Sequence, residues 1–200
     1  MSDEVLVRSL EELREWLRGN HDASGSVWLV RYRKGAGPTL ETADVVDELL
    51  CWGWIDSQPR KVDDTRSALR ISPRNPRSNW SKVNKEKVER LQAEGRMQPA
   101  GERMVALAQK NGTWTFLDDV DALTEPDDLR TALDALPDAR RNWDRFPPSS
   151  RRGILEWIKT ARTGPTRADR IAQTVSKAER NRKANFPEGR DAGPKPELPR

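Results

Sequence analysis

Two hundred residues, 34% hydrophobic and 34% charged, are enough to bury a core but leave much of the length as solvated helix surface or tail. The single cysteine, Cys51, excludes an intramolecular disulfide and fits a reducing compartment. The single histidine, His21 in a polar turn, offers no base for a nucleophilic triad, and with Cys51 leaves a zinc site short of ligands.

The N-terminus, Met1-Ser2-Asp3-Glu4, carries acid where a secretion signal needs base, and no apolar run approaches the ~18 residues that span a bilayer. A soluble cytoplasmic protein is expected. The net charge of +4 hides alternating blocks: residues 1–59 are acidic, 60–110 basic, 111–138 acidic and 139–183 basic. Such alternation predicts charge compensated within the fold ahead of a nucleic-acid face.

In chain order, Ser9 and Glu12 match a capping box for a first helix, with Leu10, Leu13, Trp16 and Leu17 at helical spacing, ending near Gly19. Residues 26–34 alternate as a half-buried strand, which Gly35-Ala36-Gly37-Pro38 breaks. Thr42 is placed to cap a second helix striped by Val45, Val46, Leu49 and Leu50, which Gly53 ends in a left-handed conformation. Strands at 54–62 and 66–72 flank the turn Asp63-Asp64-Thr65, and Pro59 assigns the first of them to a sheet edge.

Beyond the sheet the pattern is helical. Asn84 is placed to cap a helix stapled by Val83 and Val88 and stopped by Gly95; Pro99 opens the next, which runs towards Gly112. Leu129, Leu133 and Leu136 mark another, Trp143 and Phe146 a short one, and two longer helices joined at Thr163-Gly164-Pro165 form an αα-hairpin. From Phe186 onward proline, glycine and charge leave no periodicity, so a disordered tail is expected over 185–200.

Two stretches stand out chemically. Leu50-Cys51-Trp52-Gly53-Trp54-Ile55-Asp56-Ser57-Gln58 puts two indoles beside a carboxylate, a hydroxyl and an amide. Ser72-Pro73-Arg74-Asn75-Pro76-Arg77-Ser78-Asn79-Trp80-Ser81 carries two guanidinium groups three residues apart and an aromatic ring. It runs into a helix N-terminus, where free N–H groups favour an anion. The competing reading is that Arg74 and Arg77 pair with acids such as Asp56 and merely fix the loop. Gly35-Ala36-Gly37 lacks the third glycine and the βαβ frame of a dinucleotide loop.

The chain resembles the YdeI/OmpD-associated, or bacteriocin-protection, family. The resemblance rests on residues 48–57 (from Glu48-Leu49-Leu50-Cys51-Trp52 to Ser57), residues 72–84, and Glu94-Gly95-Arg96-Met97-Gln98-Pro99-Ala100-Gly101, and covers roughly residues 5–184. It implies envelope association or stress protection, and brings no catalytic residues with it.

Together these readings predict an α+β protein with a small antiparallel sheet packed by the N-terminal helices and a mainly helical C-terminal half ending in an αα-hairpin. A single domain over 1–184 is expected, its sheet-containing part at about 5–80 and its helical part at 81–184. The expected function is binding of a small anionic or polar ligand between the sheet and the 72–84 loop. Arg74 and Arg77 would hold the anion, Trp54 and Trp80 would wall the site, and Asp56, Ser57 and Asn84 would orient the ligand. No cofactor or metal is implied. The alternatives are a nucleic-acid-binding regulator and a protein-interaction module.

Overall fold

A computed structural model of the chain describes residues 4–22 and 25–194. They fall into two compact units, one within residues 1–116 and one within 117–200. The boundary lies beyond the sheet-to-helix transition near residue 80, because the two helices that follow the sheet belong to the first unit.

The N-terminal unit runs β1 (Glu4–Leu6), α1 (Leu10–Asn20), β2 (Val27–Tyr32), α2 (Thr42–Cys51), β3 (Trp54–Lys61), β4 (Arg66–Pro73), α3 (Lys82–Ala93) and α4 (Pro99–Asn111). The sheet order is β1-β2-β4-β3. β2, β4 and β3 pair antiparallel as expected, whereas β1 lies parallel to β2 with Val5 opposite Leu29. The sheet is therefore mixed. At three residues β1 is too short to show a period, and its parallel pairing follows from the helix α1 that connects it to β2. Pro59 sits on the edge strand β3, where the register shifts between Asp56 and Pro59.

Local signals behave as physical chemistry requires, with some reassigned. The Ser9 hydroxyl accepts from the Glu12 N–H at 3.1 Å, and Glu12 reaches back to the Arg8 N–H at 2.9 Å. Glu41, not Thr42, precedes α2, and the Thr42 hydroxyl instead accepts from Arg31. Ser81, not Asn84, caps α3, its Oγ accepting from the Asn84 N–H. Val83 consequently falls inside the helix and is 60% exposed, so no staple with Val88 forms.

Two cores meet on α2. Leu13, Leu17, Leu29, Val45, Leu49, Trp54 and Ile71 join α1, α2 and the sheet. Leu50, Cys51, Trp80, Val88, Leu91 and Val105 join α2 to α3 and α4. A helix buried on two faces has little polar surface left, yet α2 buries both Asp47 and Glu48.

The C-terminal unit is helical: α5 (Asp118–Asp121), α6 (Asp127–Asp134), α7 (Pro137–Arg145), α8 (Pro148–Lys159) and α9 (Gly164–Glu179). α8 and α9 pack as the expected hairpin, with the Thr163 hydroxyl capping α9. Leu136, expected on the apolar stripe of α6, instead precedes α7 and is 39% exposed. The acids of residues 118–138 pair with the following basic block: Asp121 with Arg152 at 2.6 Å, Asp119 with Lys159 at 2.5 Å, Glu125 with Arg140 at 2.7 Å and Asp128 with Arg167 at 2.7 Å. Alternating charge is thus neutralised inside this unit.

Residues 185–194 depart from the expected disorder. The Asp191 carboxylate is buried and accepts from Arg182 at 3.0 and 3.1 Å, and the Asn181 amide donates to the Pro194 carbonyl at 2.8 Å. These contacts join residues nine or more apart, which composition does not register. Residues 195–200 of the expected tail lie outside the described residues. Among the described residues no helix is long and apolar enough to cross a membrane.

Glu125 anchors the C-terminal unit by accepting two hydrogen bonds from Arg140 and one, at 2.7 Å, from the indole of the fully buried Trp143. The hydrogen bonds from Arg140, aided by that from Trp143, hold its carboxyl below the ordinary range. Stability from a depressed carboxyl is present above its unfolded value, near 4.3, and is lost as pH falls through the folded one. Glu125→Ala strands a buried indole N–H and leaves Arg140 with only its more exposed partners Asp134 and Asp144, and is expected to cost about 2–4 kcal/mol in urea unfolding. Asp138→Ala, which breaks an exposed pair with Arg141, is expected to leave the midpoint unchanged.

Candidate functional site

The three sequence blocks converge on the C-terminal turn of α2. Gly53 closes that turn with φ of 73°, and its carbonyl accepts from the Arg74 N–H at 2.9 Å. The Cys51 carbonyl accepts from the Gln98 N–H at 3.0 Å. α4 then crosses so closely that a Cβ on Gly101 would stand 2.3 Å from the Cys51 oxygen. Only glycine fits there, so Gly101 sets how near Ala100 and Met104 come to Gly53 and Trp52. Burial, with the nearby Glu48 carboxylate, pushes the Cys51 thiol up to about 11, which leaves it protonated and unreactive at neutral pH.

The two acids of α2 tie this turn to its surroundings. Asp47 accepts from Lys87 and Arg90 of α3; burial raises its carboxyl, and the hydrogen bonds from those cations more than reverse that. Glu48, 4% exposed, accepts from the Nε of Arg14 at 2.9 Å and from the Trp52 indole at 3.4 Å, with Arg96 at 3.6 Å. Above Glu48 opens a cleft of about 330 Å³ lined by Arg14, Arg18, Trp52, Arg96 and Gln98. Trp52 also lines a second cleft of about 220 Å³, whose lining includes His21, Asp22, Pro73, Arg103, Met104 and Leu107. The His21 ring lies 5.0 Å from the Trp52 ring.

The residues expected to form the site are not brought together as a set. Trp54 is a core residue, 1% exposed, whose indole donates to the His21 carbonyl at 3.0 Å and meets Trp16 edge to face. Asp56 is half-buried on β3, and the Ser57 hydroxyl donates to the Arg70 carbonyl at the surface. Arg77 is exposed, and Asn84 lies in the first turn of α3. Arg74 and Trp80 do meet: the buried guanidinium stacks 3.7 Å from the indole centroid and donates to the Asn79 carbonyl at 2.8 Å. Its Nε has no acceptor among the described residues. Desolvation alone pulls its pKa down to about 10.

Sequence reasoning missed the residues that line the two clefts. Their signal was spacing: Arg14 and Arg18 are four apart on α1, as are Glu48 and Trp52 on α2, so each pair shares a helix face. Among the described residues no cluster of three or more His, Cys, Asp or Glu side chains could hold a metal ion.

Residues 5–104, half of the chain, match the family described as a Domain of unknown function (DUF8412). The chain belongs to the DUF8412 family. Residues 122–181 match the family described as Bacteriocin-protection, YdeI or OmpD-Associated. The two matches fall in the two units separately. The resemblance to the bacteriocin-protection family therefore holds over the helical C-terminal unit, whereas the three blocks at 48–57, 72–84 and 94–101 lie in the DUF8412 region. No curated protein and no solved structure matches the chain.

The DUF8412 unit depends on the close crossing at Gly101. Gly101→Ala is expected to destabilise it by about 3 kcal/mol through overpacking against backbone that cannot retreat, read as a fall in the thermal midpoint.

Proposed function

We propose that the DUF8412 unit binds a small anionic ligand in the cleft above Glu48, and that the protection role attached to the 122–181 match works through that ligand. The observation that carries this reading is the convergence of Arg14, Arg18 and Arg96 on one cleft with an indole wall. One buried carboxylate, Glu48, holds two of those guanidinium groups in place, and planar forks of this kind suit carboxylate or phosphate. The expected anion site between the sheet and the 72–84 loop thereby moves to the other end of the same three blocks.

A second reading keeps the anion at Arg74. It is supported by the buried guanidinium, which has no ion pair among the described residues and an orphan Nε. The nucleic-acid reading loses support from the C-terminal unit, where Arg140, Arg152, Lys159 and Arg167 are each paired with an acid.

Calorimetric titration of the full chain with inorganic phosphate and with acetate separates the two anion readings. Among the described residues Arg18 pairs only with the exposed Glu15, so Arg18→Ala is expected to weaken binding about tenfold or more with an unchanged thermal midpoint. Arg74→Met is expected to retain binding. Loss of binding in Arg74→Met with full binding in Arg18→Ala would transfer the function to the 72–84 loop.

A further inference from the structure

We propose that the ligand of this site is an aromatic anion that straddles Trp52, with its charged head in the arginine cleft and its ring in the second cleft. The inference rests on the anion reading above and names the chemical class. Trp52 is a lining residue common to both clefts, so the two adjoin at the indole. At about 220 Å³ the second cleft is below the usual lower limit of about 300 Å³ for an independent ligand pocket, whereas the two together fall within that range.

The linings of the two clefts differ in kind. The first presents three guanidinium groups and a side-chain amide around the Glu48 carboxylate and the Trp52 ring. The second presents the His21 and Trp52 rings, Pro73, Met104 and Leu107, with Arg103 and the exposed Asp22 among them. Leu107 is 40% exposed, one of few large hydrophobic side chains left in solvent among the described residues. An apolar side chain held open in the same cleft as an indole offers a surface that a ligand ring would cover. Arg103, which has no ion pair among the described residues, offers a flat cation suited to stacking on an aromatic face.

The test compares dissociation constants of the full chain for four probes: acetate, 3-phenylpropionate, inorganic phosphate and phenyl phosphate. The pairs distinguish a carboxylate head from a phosphate head. The ring is expected to tighten binding at least about tenfold within a pair, and Leu107→Ser, a surface change, is expected to remove most of that gain while leaving acetate and phosphate unaffected. Equal affinity with and without the ring would overturn the inference and leave the anion reading standing. A ring-dependent gain that Leu107→Ser does not reduce would also overturn it, because the ring would then lie elsewhere. Binding by none of the four probes would overturn both readings.

Discussion

The N-terminal unit depends on one helix that buries two carboxylates. α2 lies between the sheet core and the α3/α4 core, and Asp47 and Glu48 are side by side on it. Buried carboxylates are tolerable only when cations and donors replace water. Lys87 and Arg90 do this for Asp47, while Arg14, Arg96 and the Trp52 indole do it for Glu48. Each acid thus recruits basic side chains from other elements to the same helix. The arginine cleft is a consequence: Glu48 draws Arg14 and Arg96 to its rim, where their outer nitrogens also pair with Glu11 and Glu94.

The C-terminal unit solves a related problem at its surface. Its acidic segment precedes its basic segment in sequence, and folding brings them together through pairs thirty to forty residues apart. A pair closer in sequence also organises the core: Glu125 accepts from Arg140 and from the indole of Trp143. The two units carry separate family matches, and each has an internal logic of charge compensation of its own.

Much of the architecture was legible because local chemistry and tertiary packing agree. Ser9, Gly53, Pro59, Pro99 and the stripes of α8 and α9 each do what spacing and side-chain type predict, and the opposing charge blocks compensate one another in the C-terminal unit. The misses have two causes. β1 and the ordering of residues 185–194 depend on partners distant in sequence, which neither period nor composition encodes, whereas the cap of α3 and the exposure of Leu136, which stands before Pro137 at the start of α7, are local signals assigned to the wrong position. At the site, Trp54 and Trp80 drew attention through their polar neighbours, yet both are core residues. Trp52, between Cys51 and Gly53 in the same motif, is the half-buried one. Arg96 and Gln98 looked like a helix stop followed by a helix start, which they also are; their part in the cleft appears only once Gly101 brings α4 against the Cys51 carbonyl.

The most direct test of the anion site is the indole N–H spectrum of the full, uniformly ¹⁵N-labelled chain during titration with inorganic phosphate. The Trp52 indole lines both clefts and donates to Glu48, whereas the Trp54 indole is buried against the His21 carbonyl. The account requires the Trp52 resonance to shift and saturate while those of Trp54 and Trp80 stay in place. A saturating shift confined to Trp80 would place the anion at Arg74, and an unchanged indole spectrum would contradict the site altogether.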